Sequence, residues 1–189
     1  LTEQALQFKG ATHLNETIMG LERRDGQFVL QPEGGEFPSK SIVIAAGIGA
    51  FSPRRLPQAV AHPWYGRGIY DVVIDPEKFR GRRIVIIGGG DTAFDWAHQL
   101  LDRAATLTLV HRSDRFRAHA ATVTEVMRAA EQGRMGLHTF HELHDIISMD
   151  DKLTDVVLRD TKTKATFAVP CDVILPKLGY VSDLGALAH

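Results

Sequence analysis

Ile84-Val85-Ile86-Ile87-Gly88-Gly89-Gly90-Asp91-Thr92-Ala93 is the stretch whose reading decides the fold. Four consecutive β-branched apolar residues suit a strand buried on both faces. Three glycines then end it. The spacing Gly88-x-Gly90-x-x-Ala93 is that of a strand-to-helix turn that cradles a dinucleotide. Gly88 permits the tight turn, Gly90 lets a pyrophosphate reach the backbone, and small Ala93 lets helix and strand pack closely. The free N–H groups and positive dipole end of the helix then face the phosphates. A helix is predicted over residues 91–102, with Ala93, Trp96, Ala97, Leu100 and Leu101 at three-to-four spacing on its buried face. Asp91 and Thr92 stand where a helix start favours short polar or acidic residues. A lone glycine pattern is weak. Here a buried strand precedes it, an amphipathic helix follows, and a further strand is predicted at 106–110 (TLTLV), which is the context the motif requires. The plain alternative is a glycine-rich turn that holds no ligand.

The end of that second strand bears on which nucleotide binds. NAD(H) sites place an Asp or Glu there to hold the ribose hydroxyls. This chain has His111-Arg112-Ser113, with Arg115 and Arg117 beyond and no acid until Asp114. A carboxylate would repel a 2′-phosphate, whereas an arginine attracts it and bonds two oxygens at once. Arg112 and Arg117 are the expected clamp, which points to NADP(H). The alternative is a solvated basic loop.

The rest of the chain sets bounds. Its 189 residues are 44% hydrophobic and 24% charged, which is ordinary for a globular protein of one large domain or one and a half small ones. A net charge of −1 gives no general attraction to nucleic acid or membranes. No apolar run approaches the roughly 20 residues of a membrane span, and residues 1–10 do not read as a signal peptide. The expected location is the cytoplasm. A single cysteine, Cys171, excludes an internal disulfide or Cys-x-x-Cys pair within this sequence and reads as a small packed residue. The chain opens on Leu1 and stops at His189 soon after a glycine turn, so it reads as a fragment of a longer protein.

Strands are expected at 27–31 (QFVLQ) and 41–46 (SIVIAA), the second as a buried strand in an antiparallel set spanning 22–46. Residues 53–68, with three prolines and two glycines, read as loop or linker chemistry and as the best domain boundary in the chain. A helix is expected over 122–132, short strands of a β meander at 137–140, 146–149 and 156–158, and a last buried strand at 173–175. His138, His141 and His144 lack Cys or acidic partners at ligand spacing, so no metal site is expected.

RRIVIIGGGDTAFDWAHQLL (82–101), LTLVHRSDRFRAHAATVTEVM (107–127) and CDVILPKLGYVSDLGALA (171–188) resemble the bacterial thioredoxin-reductase-like ferredoxin–NADP+ reductases. SIVIAAGIGAFSPRRLP (41–57) resembles their flavin-domain strand. The resemblance runs through nearly the whole chain and is weakest over 1–30 and 137–169. It implies an α/β fold: a Rossmann-like three-layer β/β/α NADP-binding domain with a partial FAD-domain segment of antiparallel strands. It divides the chain into partial FAD domain (1–63), NADP(H) domain (64–178) and return crossover (179–189).

Carried over by residue, the resemblance makes Gly88, Gly89, Gly90, Asp91, Thr92, Ala93, His111, Arg112, Arg117 and Gly179 cofactor-binding. Ser113 stands where the family usually has a second arginine. Ala46, Gly47 and Phe51 match the flavin side, and Leu14 lies near the adenine of FAD. The implied activity passes electrons from NADPH via FAD to ferredoxin or flavodoxin in a homodimeric protein, with the cofactors supplying the chemistry and no catalytic side chain expected here. The family's FAD pyrophosphate motif has no match in this chain, so the chain alone is expected to bind NADPH without reductase activity. Two other readings remain. One is a thioredoxin-reductase-like disulfide reductase, against which residues 69–75 carry no cysteine. The other is a non-catalytic NADP(H)-binding module.

Overall fold

The computed structural model describes residues 15–44 and 50–183, which form two compact units. In the first, β1 (Ile18–Arg24), β2 (Gln27–Pro32) and β3 (Phe37–Ser39) form an antiparallel sheet in that order. Asp25-Gly26, both at positive φ, make the β1–β2 turn. The expected strand at 41–46 is not formed over 41–44, where Val43 is 89% and Ile44 59% exposed. Its β-branched run supplies only propensity. A buried strand also needs neighbours, and none pairs with it among the described residues.

The second unit spans Ser52–Val181. Its centre is a parallel sheet of β5 (Arg83–Gly88), β6 (Thr106–His111), β7 (Gly136–Thr139) and β11 (Val173–Lys177), ordered β11-β5-β6-β7. The backbone of residues 68–70 extends it beyond β11, with Ile174 N–H donating to Gly68 O at 2.8 Å and Tyr70 N–H to Ile174 O at 3.0 Å.

Alternation along the strands sorts side chains into two cores. Ile84, Ile86, Leu107, Leu109, Val173 and Leu175 face α1 (Asp91–Leu100) and α2 (Ala120–Glu131). Val85, Ile87, Val110 and Ile174 face the other way. There they meet an antiparallel meander of β8 (His141–Met149), β9 (Lys152–Asp160) and β10 (Thr166–Pro170), which contributes Leu143, Leu153, Val156 and Leu158. The layers are therefore β/β/α, as the family resemblance implies. The remaining strands, β4 (Ala50–Pro53) and β12 (Tyr180–Asp183), pair with each other.

Three local expectations change. The strand at 137–140 is β7 of the parallel sheet, in register with β6, and is not part of the meander. A stretch as short as Leu137-His138-Thr139-Phe140 cannot announce its own partner. The proline-rich stretch 53–68 is no free linker: it forms a 3-10 turn over Ala59–Trp64 and buries Leu56 and Ala61 in the second core. On α1, Phe94 is fully buried while Trp96 and Leu101 are only partly so. The spacing had the right face but centred it one position off.

Phe94 packs edge-on against Phe116 at 4.9 Å and has no exposed surface. Phe94→Ala should lower unfolding stability by about 3–5 kcal/mol in urea titration. A loss below about 1 kcal/mol would contradict this anchoring of α1.

Candidate functional site

The glycine turn is shaped by close approach. A Cβ on Gly88 would collide with the Lys177 carbonyl oxygen of the neighbouring strand and come within 3.1 Å of Ala93 Cβ. A Cβ on Gly89 would collide with the His111 ring. Gly90 differs, because a Cβ there would meet nothing within 4 Å. Protein packing therefore does not explain this glycine, and the space beside it is open. Gly90 is also the N-cap of α1 and offers no side-chain cap; its carbonyl accepts from Ala93 N–H at 3.0 Å, which leaves the N–H groups of Asp91 and Thr92 as the ones that can meet an external acceptor.

The chain runs outward through β5, β6 and β7 and then returns to place β11 on the other side of β5. The topological switch point thus lies between β5 and β11, where open α/β sheets bind ligands beyond the strand ends. A shallow cleft opens there, lined in part by Asp71, Thr92, Lys177, Gly179 and Tyr180. Gly179 turns the chain out of β11 at φ 85°, a left-handed conformation that favours glycine, and its carbonyl accepts from Arg54 N–H at 2.8 Å. Lys177 is only 9% exposed. Its ammonium donates to Asp71 O at 2.7 Å and lies 5.5 Å from the Trp96 ring centre, while burial pushes its pKa down. Sequence reasoning missed this buried cation, because a lysine at a strand end normally reads as solvated.

The loop after β6 folds back over the glycine turn. Arg117 N–H donates to Gly89 O at 2.7 Å, and His119 N–H donates to an Asp91 carboxylate oxygen at 2.8 Å. Phe116 lies between Phe94 and His111, with its ring 5.6 Å from the His111 ring. His111 Nε2 is 3.2 Å from both Ser113 Oγ and Arg115 O. The Ser113 hydroxyl also accepts from Arg115 N–H at 3.3 Å, so its bonds hold the loop itself. Arg112, Arg115 and Arg117 are exposed, and among the described residues none pairs with a carboxylate. This contrasts with Arg83, whose guanidinium and backbone N–H both bind Asp172 and tie the start of β5 to the start of β11.

The structure thus brings together Gly88, Gly89, Gly90, Asp91, Thr92, Ala93, His111, Arg112, Arg117 and Gly179 at one end of the parallel sheet. Ala46, Gly47 and Leu14 lie outside the described residues, and Phe51 lies on β4. Cys171 is buried, its thiol pushed up to about 12 chiefly by burial, so it is no thiolate at neutral pH. Among the described residues no three His, Cys, Asp or Glu are grouped to hold a metal, and no helix is long and apolar enough to cross a membrane.

A family model described as pyridine nucleotide-disulphide oxidoreductase matches residues 1–189. The chain belongs to this family. It is 40% identical over 190 residues to a ferredoxin–NADP reductase of Thermus thermophilus, covering all of this chain and 56% of that protein. It is 38% identical over 194 residues to ferredoxin–NADP reductase 2 of Chloroherpeton thalassium, again across the whole chain and 55% of the relative. Among solved structures it is similar to Lactococcus lactis thioredoxin reductase, with 25% identity and a TM-score of 0.73 over 92% of this chain and 55% of that one. These matches bear out the resemblance to thioredoxin-reductase-like ferredoxin–NADP+ reductases. The chain spans about half the length of the curated relatives it matches.

His111 is held below its ordinary pKa of 6.5, first by burial and then by the charges of Arg112 and Arg117, against an opposing hydrogen bond to Arg115 O. The unfolded chain takes up this proton more readily than the folded one. The stability from neutral His111 is therefore present above the ordinary histidine pKa and is lost as pH falls through it toward the folded value. Imidazole NMR resonances of His111 should titrate with a midpoint below 6.5. A midpoint at or above that value would contradict the packed, neutral ring.

Proposed function

We propose that the unit Ser52–Val181 is the NADP(H)-binding domain of an FAD-dependent oxidoreductase that passes electrons from NADPH through FAD to ferredoxin or flavodoxin. The observation that carries this reading is the pairing of open space at Gly90 with three arginines that have no carboxylate partner among the described residues. The names of the matched relatives support the acceptor. The family resemblance supports a homodimeric whole protein, and the cytoplasmic location rests on the sequence reading alone.

In this reading the pyrophosphate lies on the N-terminus of α1 above Gly90, where N–H groups without side-chain caps meet its charge. Arg112 and Arg117 hold the 2′-phosphate. Ser113 brings no charge to that clamp, and its hydroxyl is engaged within the loop. Thr92 and Gly179 border the switch-point cleft toward which the nicotinamide half extends. When bound, the nucleotide supplies a hydride. The residues described here bind and orient it, and none is required to move a proton. Ala46, Gly47, Phe51 and Leu14 are proposed to face FAD in the whole protein.

The fold is equally that of thioredoxin reductase. Disulfide reduction needs a reactive thiol pair, which for this reading would have to come from outside this chain, since its one cysteine is deeply buried.

Arg112→Ala should weaken NADPH binding by about 1.5–3 kcal/mol, roughly ten- to over a hundredfold, and leave NADH binding nearly unchanged. Calorimetric titration of both nucleotides checks this. Equal losses for the two would sink the 2′-phosphate assignment.

A further inference from the structure

Asp91 is the first residue of α1 and sits beside the proposed pyrophosphate cradle. A carboxylate there repels a phosphate, so a direct contact with the nucleotide is a poor use of it. Its observed partner lies elsewhere, for Oδ1 accepts from His119 N–H at 2.8 Å. His119 in turn caps α2, its Nδ1 accepting from Ala121 N–H at 3.4 Å. Two residues earlier, Arg117 N–H donates to Gly89 O at 2.7 Å, and Gly90 and Arg117 form a parallel bridge. The far end of the arginine loop is thus pinned twice to the glycine turn. The near end is held by His111, packed over Gly89 and against Phe116. Between these pins stand Arg112, Arg115 and Arg117. Asp91 makes no ion pair with any of them, since among the described residues its recorded contact is the backbone bond to His119.

We propose that Asp91 is a positioning residue for NADP(H) selectivity: it holds the arginine loop over the glycine turn and acts on the 2′-phosphate without touching the nucleotide. The inference rests on the NADP(H) reading of this site. A loop that is already ordered loses less conformational freedom when its arginines close on a phosphate, so the anchor raises affinity only for the ligand that uses that loop. NADH, which lacks the 2′-phosphate, gains little from it.

The test uses the full chain and its Asp91→Ala and Asp91→Asn variants, each titrated calorimetrically with NADPH and NADH. Amide hydrogen exchange is followed without nucleotide. Asp91→Ala should weaken NADPH about tenfold and NADH less than twofold. Exchange should quicken over residues 112–119 while β5 stays protected. Asp91→Asn, which keeps an acceptor oxygen, should restore both the preference and the protection. Equal losses for the two nucleotides would overturn the proposal and place Asp91 at the pyrophosphate. An unchanged preference, or unchanged exchange in the loop, would overturn it too. If the unsubstituted chain shows no preference for NADPH, the nucleotide reading itself fails, and the exchange data still decide separately whether Asp91 orders the loop. Should Asp91→Ala not fold, Asp91→Glu carries the same comparison, because its longer side chain misplaces the acceptor for His119 N–H.

Discussion

The contact between Gly88 and the Lys177 carbonyl is the constraint on which the glycine-turn end of the sheet depends. Two adjacent parallel strands end there, and β5 must turn at once into α1. Any side chain at Gly88 would force β11 away, and a larger residue than Ala93 would lift the helix. With both small, α1 starts hard against the strand ends. The start of the helix, at Thr92, then lines the same edge as the cleft by Lys177 and Gly179. A hydrogen in place of a methyl group thus sets the direction of a helix dipole, and that dipole is what an anionic ligand meets.

The two cores reinforce this geometry from either side. Ile84 and Ile86 bind β5 to the helices, and Val85 and Ile87 bind it to the meander. Each fully buried aliphatic side chain of this kind contributes roughly 1.5–3 kcal/mol. β5 is therefore a rigid post, and the residues that leave its carboxyl end inherit that rigidity. The Arg83–Asp172 pair secures the opposite end of the same strand against β11. Asp172 titrates below the usual carboxylate range, chiefly through its hydrogen bond to Arg83.

What could be read from the sequence follows the range of the interactions involved. The β5, glycine turn, α1 and β6 series was legible because each feature is set within a few residues: a buried run, three glycines, a helical stripe. The arginines at 112 and 117 could be named as candidates by the lack of an acid where one would serve NAD(H), and the structure leaves both exposed. The membership of β7 in the parallel sheet was not, because pairing is a choice among partners distant in sequence. Residues 41–44 show the converse, a strong strand propensity with no described neighbour to pair with. Phe94 was hidden by a stripe centred one residue off. The bond from His119 to Asp91 and the burial of Lys177 both join segments far apart in the chain. No local pattern marks them.

The electrostatics of the loop follow from the same packing. His111 is half-buried under Phe116 and beside two arginines, so its ring is held neutral and adds no charge of its own. Ser113 is neutral and spends its hydroxyl within the loop. The positive charge of this loop therefore comes from arginines alone. Arginine keeps its charge across the physiological range, so the attraction of this loop for an anion does not hinge on a titrating group. Histidine and serine here set the shape, and arginine sets the charge. Because shape and charge reside on different residues, a neutral Ser113 leaves the cationic edge of the loop to Arg112, Arg115 and Arg117.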